Sequence, residues 1–189
     1  ITILVTATVL HLTAALAQEK AKDTLAPPSS GFRAEFLKQL DDVEKKITDL
    51  AQAVPQEKFS WRPAEGVRSV SEVYVHIAGA NFLLPQFIGV KAPPAADGEM
   101  EKKITKKAAV LEVLKQSFEH IRQVVLKTPD SNLDKPAKFF GRETTVRDIF
   151  FTAGLHMHEH LGQSIAYARM NGIVPPWTAA EQSRPQQPR

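Results

Sequence analysis

The 189-residue sequence predicts an all-α fold, a four-helix bundle. Apolar residues recur at spacings of three and four in four separate segments, which is the helical period. Strand-like alternation is nearly absent, and capping residues and prolines bracket the segments where helices start and stop. The composition agrees: 43% apolar and 24% charged is a globular balance, and the length fits one domain. There is no cysteine, so a disulfide frame, a thiolate zinc site and a thiol nucleophile are all excluded. Lys+Arg at 24 against Asp+Glu at 21 leaves a net charge of +3. That is mild, and no basic stripe carries interleaved aromatics, so no nucleic-acid partner is expected.

Residues 1–17 hold no Asp, Glu, Lys or Arg and end in Ala15-Leu16-Ala17. An apolar run closing on a small-x-small site reads as a cleavable signal peptide. It is shorter than the roughly 20 residues needed to span a bilayer. The expectation is export to the periplasm or medium, with no membrane attachment after cleavage. Residues 18–30, with two Pro and two Ser, read as a flexible leader, and the domain is expected over 31–177.

The first helix is predicted from Gly31 to about Val54, with Phe32, Phe36, Leu40, Val43, Ile47, Leu50 and Val54 inward and Pro55 ending it. The second starts at Ser69, where Ser69-Val70-Ser71-Glu72 has the form of a capping box. Val73, Ile77, Ala80, Leu84 and Phe87 make its inward face, and Pro85 should kink or end it. After a Pro/Gly/Ala connection over 89–98, a third helix is predicted from about Lys102 to Lys127, with Ala108, Leu111, Leu114, Phe118, Ile121 and Val125 inward. A long link over 129–144 contains Phe139-Phe140-Gly141-Arg142, which suits a small hairpin or turn. The fourth helix opens at Thr145, with Asp148 at its third position, and stops at Asn171-Gly172 before Pro175-Pro176. The polar, Pro-rich residues 178–189 read as a disordered tail. The long links argue against a simple up-down-up-down order.

His76 lies three residues after Val73 and four before Ala80, so it shares the inward face of the second helix. On the fourth helix the inward stripe is Val146, Ile149, Ala153, His156, His160, Ser164 and Tyr167. His156 and His160, four apart, have Cβ atoms about 5–6 Å from each other and can converge on one ion. The intervening Met157-His158-Glu159 lacks a Glu directly after the first His, so the H-E-x-x-H protease reading fails. An imidazole buried without a partner costs about 1–3 kcal/mol. A divalent cation turns that cost into bonding, and neutral imidazole suits Zn or Ni better than Mg or Ca. Three protein ligands with an open fourth position is the form of a catalytic zinc site. The rival reading is a set of hydrogen-bonded core histidines. His158 and His120 are expected at the surface, Glu72 as a cap, and Glu159 at the surface or behind a ligand. Trp61, Trp177 and Tyr167 read as packing residues, and Lys102, Lys103, Lys106 and Lys107 as a solvated helix face. No catalytic residue is identified.

Two stretches carry a family resemblance. One is Phe59-Ser60-Trp61-Arg62-Pro63-Ala64-Glu65-Gly66-Val67-Arg68-Ser69-Val70, leading to His76. The other is His156-Met157-His158-Glu159-His160-Leu161-Gly162-Gln163, running on to Tyr167 and Pro175-Pro176. The link from Phe139 to Asp148 is similar in form. Together they resemble the DinB/YfiT-like superfamily of metal-binding four-helix bundles, over about residues 31–177. The resemblance implies a metal on one His of the second helix and two of the fourth, which map to His76, His156 and His160. It also implies a long crossover connection after the second helix and, in many members, a homodimer. Known activities in the superfamily include thiol S-transfer and thiol-dependent isomerisation, and many members have no assigned reaction. The expected export fits thiol transfer poorly, because intracellular thiol cofactors are scarce outside the cytoplasm.

Three functions compete at this point. The first is a metal-dependent hydrolase or transferase that activates water or a thiol against a small-molecule substrate the sequence does not name. The second is a non-catalytic, stress-related bundle that binds a metal or a small molecule. The third is a structural bundle whose histidines are core residues.

Overall fold

One cap and one proline set the two ends of the inner helix. α2 (Val70–Leu83) begins at Ser69, whose Oγ accepts from Glu72 N while Glu72 Oε2 accepts from Ser69 N at 2.6 Å. This is the capping box expected from sequence, and it satisfies two otherwise unpaired N–H groups. Pro85 converts the end of the helix into a 3-10 turn over Leu84–Ile88.

The computed structural model describes residues 27–94 and 96–183. The expected signal peptide at 1–17, residues 18–26 of the expected leader and residues 184–189 of the expected tail lie outside them. The other elements are α1 (Gly31–Ala53), α3 (Met100–Lys103), α4 (Lys107–Lys127), β1 (Pro136–Phe139), β2 (Arg142–Thr145), α5 (Val146–Met170) and α6 (Pro176–Gln182). Four long helices, α1, α2, α4 and α5, form the bundle, and the described residues are all-α apart from one hairpin.

α4 and α5 each lie against both α1 and α2, so α1 and α2 stand across the bundle diagonal from each other. The links over 54–69 and 128–145 therefore cross a diagonal, while the long connection after α2 joins neighbours. Backbone bonds from Val70 N to Trp61 O and from Ser71 N to Phe59 O tie the first diagonal link to the start of α2. α2 is buried on nearly all sides, including Val70, Tyr74, Val75, Ala78 and Phe82 outside the expected stripe. A helix apolar all round is an inner helix.

The third predicted helix is in fact two. α3 ends at Lys103, and α4 starts at Lys107 after an extended Lys106. Gln56 Oε1 accepts from Lys107 N at 2.7 Å and so caps α4 from across the fold. Lys107 Nζ donates to Gln52 O and Val54 O, filling free carbonyls at the end of α1. Lys107 is thus a tie between helices and not part of a solvated face. The new start resets the register: Ala108 is exposed, and Val110, Val113 and Ser117 join Leu114, Phe118 and Ile121 inside.

His120 also departs from expectation. It is half-buried against the Phe82 ring, with centroids 5.4 Å apart, and its Nε2 has no partner. The all-round burial of α2 extends to this flank of α4. The tail differs as well, because α6 carries residues 178–182 in a helix that starts at Pro176.

β1 and β2 pair antiparallel with Phe139 opposite Arg142. Phe140 and Gly141, at φ 48° and 84°, make the two-residue turn. α5 begins at Thr145, whose Oγ1 accepts from Asp148 N. It ends with Ile173 N on Ala168 O and Gly172 N on Arg169 O, a Schellman pattern that needs the positive φ of Gly172.

Ser69→Ala removes one half of the α2 cap and is expected to cost about 1 kcal/mol. A urea melt measures it, and an unchanged midpoint would show that the cap does not hold α2.

Candidate metal centre

The α2–α5 interface places three imidazoles around one point. His76 comes from the middle of α2, and His156 and His160 come from successive turns of α5. Their ring centroids lie 4.9 Å (His76–His156), 4.7 Å (His76–His160) and 4.4 Å (His156–His160) apart. One nitrogen from each falls within 4.8 Å of the others. His160 is buried, and His76 and His156 sit half-buried at the rim of the core. The inward stripes of α2 and α5 thus bring these three histidines together.

The outer nitrogens are spoken for in two of the three rings. His76 Nδ1 lies 2.8 Å from Glu101 Oε1, and Glu101 is held in turn by Arg68 Nε at 2.7 Å. Burial opposes charge on Glu101, yet the hydrogen bonds from Arg68 and His76 win and hold its pKa below the usual carboxylate range. An ionised carboxylate only accepts, so the Nδ1 of His76 carries the proton and its Nε2 keeps a lone pair. His160 Nδ1 lies 2.8 Å from Gln163 Oε1, and Gln163 Nε2 donates to the Tyr167 hydroxyl at 3.0 Å. The amide oxygen again accepts, which leaves the Nε2 of His160 free. Trp61 packs edge-on against Tyr167 at 5.4 Å and backs this chain of bonds.

The third ring completes the test of fit. His156 Nε2 lies 3.1 Å from His76 Nε2, and its buried Nδ1 has no partner. Nitrogens at about 2.0–2.1 Å from one tetrahedral zinc are roughly 3.3 Å apart. Three imidazole nitrogens, two of them on rings fixed by outer acceptors, could hold one metal ion, and imidazole is a donor that suits transition metals. Burial pushes His156 down to about 4, with His160, His76 and Arg68 adding to the effect. Burial also holds His76 below the usual imidazole value, against the pull of the Glu101 hydrogen bond. Both rings are therefore neutral and ready to bind at pH 7.

Beside the histidines opens a cleft of about 480 Å³. His76, His156 and Glu101 line it, together with Leu83, Phe139 and Phe140.

Glu101, Arg68 and Gln163 are the contributors that sequence reading passed over. Glu101 stands in a Lys-rich run and reaches His76 from 25 residues away, so no local pattern marks it. Gln163 did carry a signal, since it lies three residues after His160 on the same helix face. His158 and Glu159 are exposed, as expected. Glu72 is the cap, and the hydrogen bonds from Ser69 and Arg62 overcome its burial to lower its pKa. Tyr167 and Trp61 pack as expected, but they also stand behind a histidine.

A family model described as the DinB superfamily matches residues 39–164. Among solved structures, a DinB-like protein from Bacillus cereus aligns with a TM-score of 0.67 at 19% identity, covering 75% of this chain and 93% of that one. A DinB-like protein from Bacillus subtilis, YjoA, aligns with a TM-score of 0.60 at 20% identity, covering 74% and 93%. At these identities the likeness is one of fold. No protein of curated function matches the chain significantly.

The buried imidazoles make acid the weak direction for metal-free protein. An unfolded chain protonates His near 6.5, whereas the fold holds His156 near 4. As pH falls below 6.5 the unfolded state binds more protons than the folded one, so stability present above that pH is lost toward pH 4. His76 and His120 are also shifted down, chiefly by burial, and act in the same sense. Urea midpoints of chelator-treated protein should be level above about pH 7 and fall between 6.5 and 4. A midpoint that rises on acidification would contradict the neutral, buried state of these rings.

Proposed function

The chain belongs to the DinB superfamily, and on that premise we propose that His76, His156 and His160 hold one divalent transition metal, zinc or nickel, for chemistry on a small molecule. The observation that carries this reading is the meeting of three imidazole nitrogens, two of them backed by Glu101 and Gln163. When bound by three imidazoles, such an ion supplies Lewis acidity, lowering the pKa of a coordinated water or thiol toward neutral pH. The chain's own residues do the rest. Glu101 fixes the ring plane and tautomer of His76 and raises its basicity, and Arg68 keeps the carboxylate charged. Gln163 does the same for His160 through a neutral amide. The cleft admits a substrate to the open side, for hydrolysis or for group transfer.

A non-catalytic bundle that binds a metal or a small molecule is the second reading. It is favoured by the pairing of the cleft's carboxylates, Glu101 with Arg68 and Asp97 with Lys103, which leaves neither as a free general base. The apolar run over 1–17 supports export to the periplasm or medium, and a mature chain that begins at Gln18 is the expected result of N-terminal sequencing.

Elemental analysis of untagged protein tests the metal. One ion per chain is expected, and each of His76→Ala, His156→Ala and His160→Ala should lose it. Glu101→Ala should still fold but bind zinc about 10–100-fold more weakly. Retention of metal by all three histidine variants would sink the assignment.

A further inference from the structure

Resting on the metal reading above, we infer that the cleft takes a two-part small molecule: a metal-binding head and a flat, apolar, ring-bearing body seated on Phe140. Phe140 is the first residue of the hairpin turn, at φ 48°. A bulky side chain rarely adopts this backbone region, and Asn or Gly is the ordinary choice at that turn position. Burial does not explain the phenylalanine, because it is 74% exposed. Its ring is held by two neighbours, with centroids 4.7 Å from Phe139 and 4.9 Å from Phe87. Phe87 also packs edge-on against Phe139 at 5.0 Å, so the three rings support one another.

The strained, solvent-facing ring lines the same cleft as His76 and His156. Leu83, 43% exposed, adds a second uncovered apolar surface to that cleft. A volume of about 480 Å³ is that of a small-molecule pocket. The two carboxylates lining it are paired, so no lone charge is offered to a cationic body. An occupant that binds the metal at one end therefore meets an aromatic wall at the other. Strain at a functional site is kept where an observed outlier serves binding.

Acetohydroxamate and benzohydroxamate share a metal-binding head and differ by the ring, so the pair separates the two parts. Calorimetric titration of zinc-loaded protein should show both binding, with benzohydroxamate the tighter, and chelator-treated protein should bind neither. Phe140→Asn suits a positive φ and should melt at or above the wild-type temperature. It should weaken benzohydroxamate by about threefold to tenfold and leave acetohydroxamate unchanged. If acetohydroxamate binds and Phe140→Asn leaves benzohydroxamate unchanged, the aromatic seat is overturned while the metal reading stands. Equal weakening of both ligands overturns it too, by showing that the variant disturbs the head's site. If neither hydroxamate binds zinc-loaded protein, the open metal position fails and the inference falls with it.

Discussion

Two imidazole Nε2 atoms 3.1 Å apart repel through their lone pairs unless a proton or a cation lies between them. In this protein they belong to different helices, α2 and α5, and a third ring from α5 closes on the same point. A neutral His156 can bridge the pair only by turning its Nε2–H toward His76, which leaves its buried Nδ1 an acceptor without a donor, and burial makes a second proton on either ring expensive. The fold therefore holds an unresolved polar cluster at the edge of its core. Its outer bonds to Glu101 and Gln163 turn the lone pairs inward and do not quench them.

Such a cluster persists only if the frame around it is stiff. α2 supplies that by being buried nearly all round, so His76 stands on the helix with least freedom to rotate. Its entry is fastened by the capping box and by the bonds to Phe59 O and Trp61 O, and its exit by Pro85. α5 is capped at both ends, and its i, i+4 pair needs no long-range help to stay in register. The diagonal placement of α1 and α2 puts α2 between α4 and α5, so the histidine interface is braced from the opposite flank.

Legibility in the sequence follows the range of the interaction. The four long helices and the inward histidines follow a period of a few residues, and the Ser69 and Thr145 caps are equally local, so the sequence exposes them. The Phe140-Gly141 turn is local and was legible too. The break between α3 and α4 was not, because it depends on Gln56 and Lys107 meeting across about fifty residues. Glu101 was hidden for the same reason, since it meets His76 across 25 residues and stands beside lysines that read as a solvated face. The half-burial of His120 reflects a partner helix that is apolar on every side, which an amphipathic stripe cannot announce. The helix at Pro176–Gln182 shows the limit of composition, since a polar stretch can still complete a turn or two after a Pro at N1.

The outer partners of the histidines are unequal, and the inequality has an electrostatic consequence. Glu101 brings one negative charge to the back of His76, but Arg68 cancels it across a two-pronged hydrogen bond. Gln163 and Tyr167 bring none to the back of His160. Imidazole ligands carry no charge of their own when they coordinate, so a divalent ion held here would be left uncompensated by its ligands. In a half-buried site that charge would be screened less than in water, so an open position on the ion would favour an anionic fourth partner over a neutral one. A carboxylate in place of any one histidine would remove part of that preference. Three imidazoles, with Glu101 tied to an arginine and Asp97 to a lysine, would suit ligands that arrive negative or become so on binding.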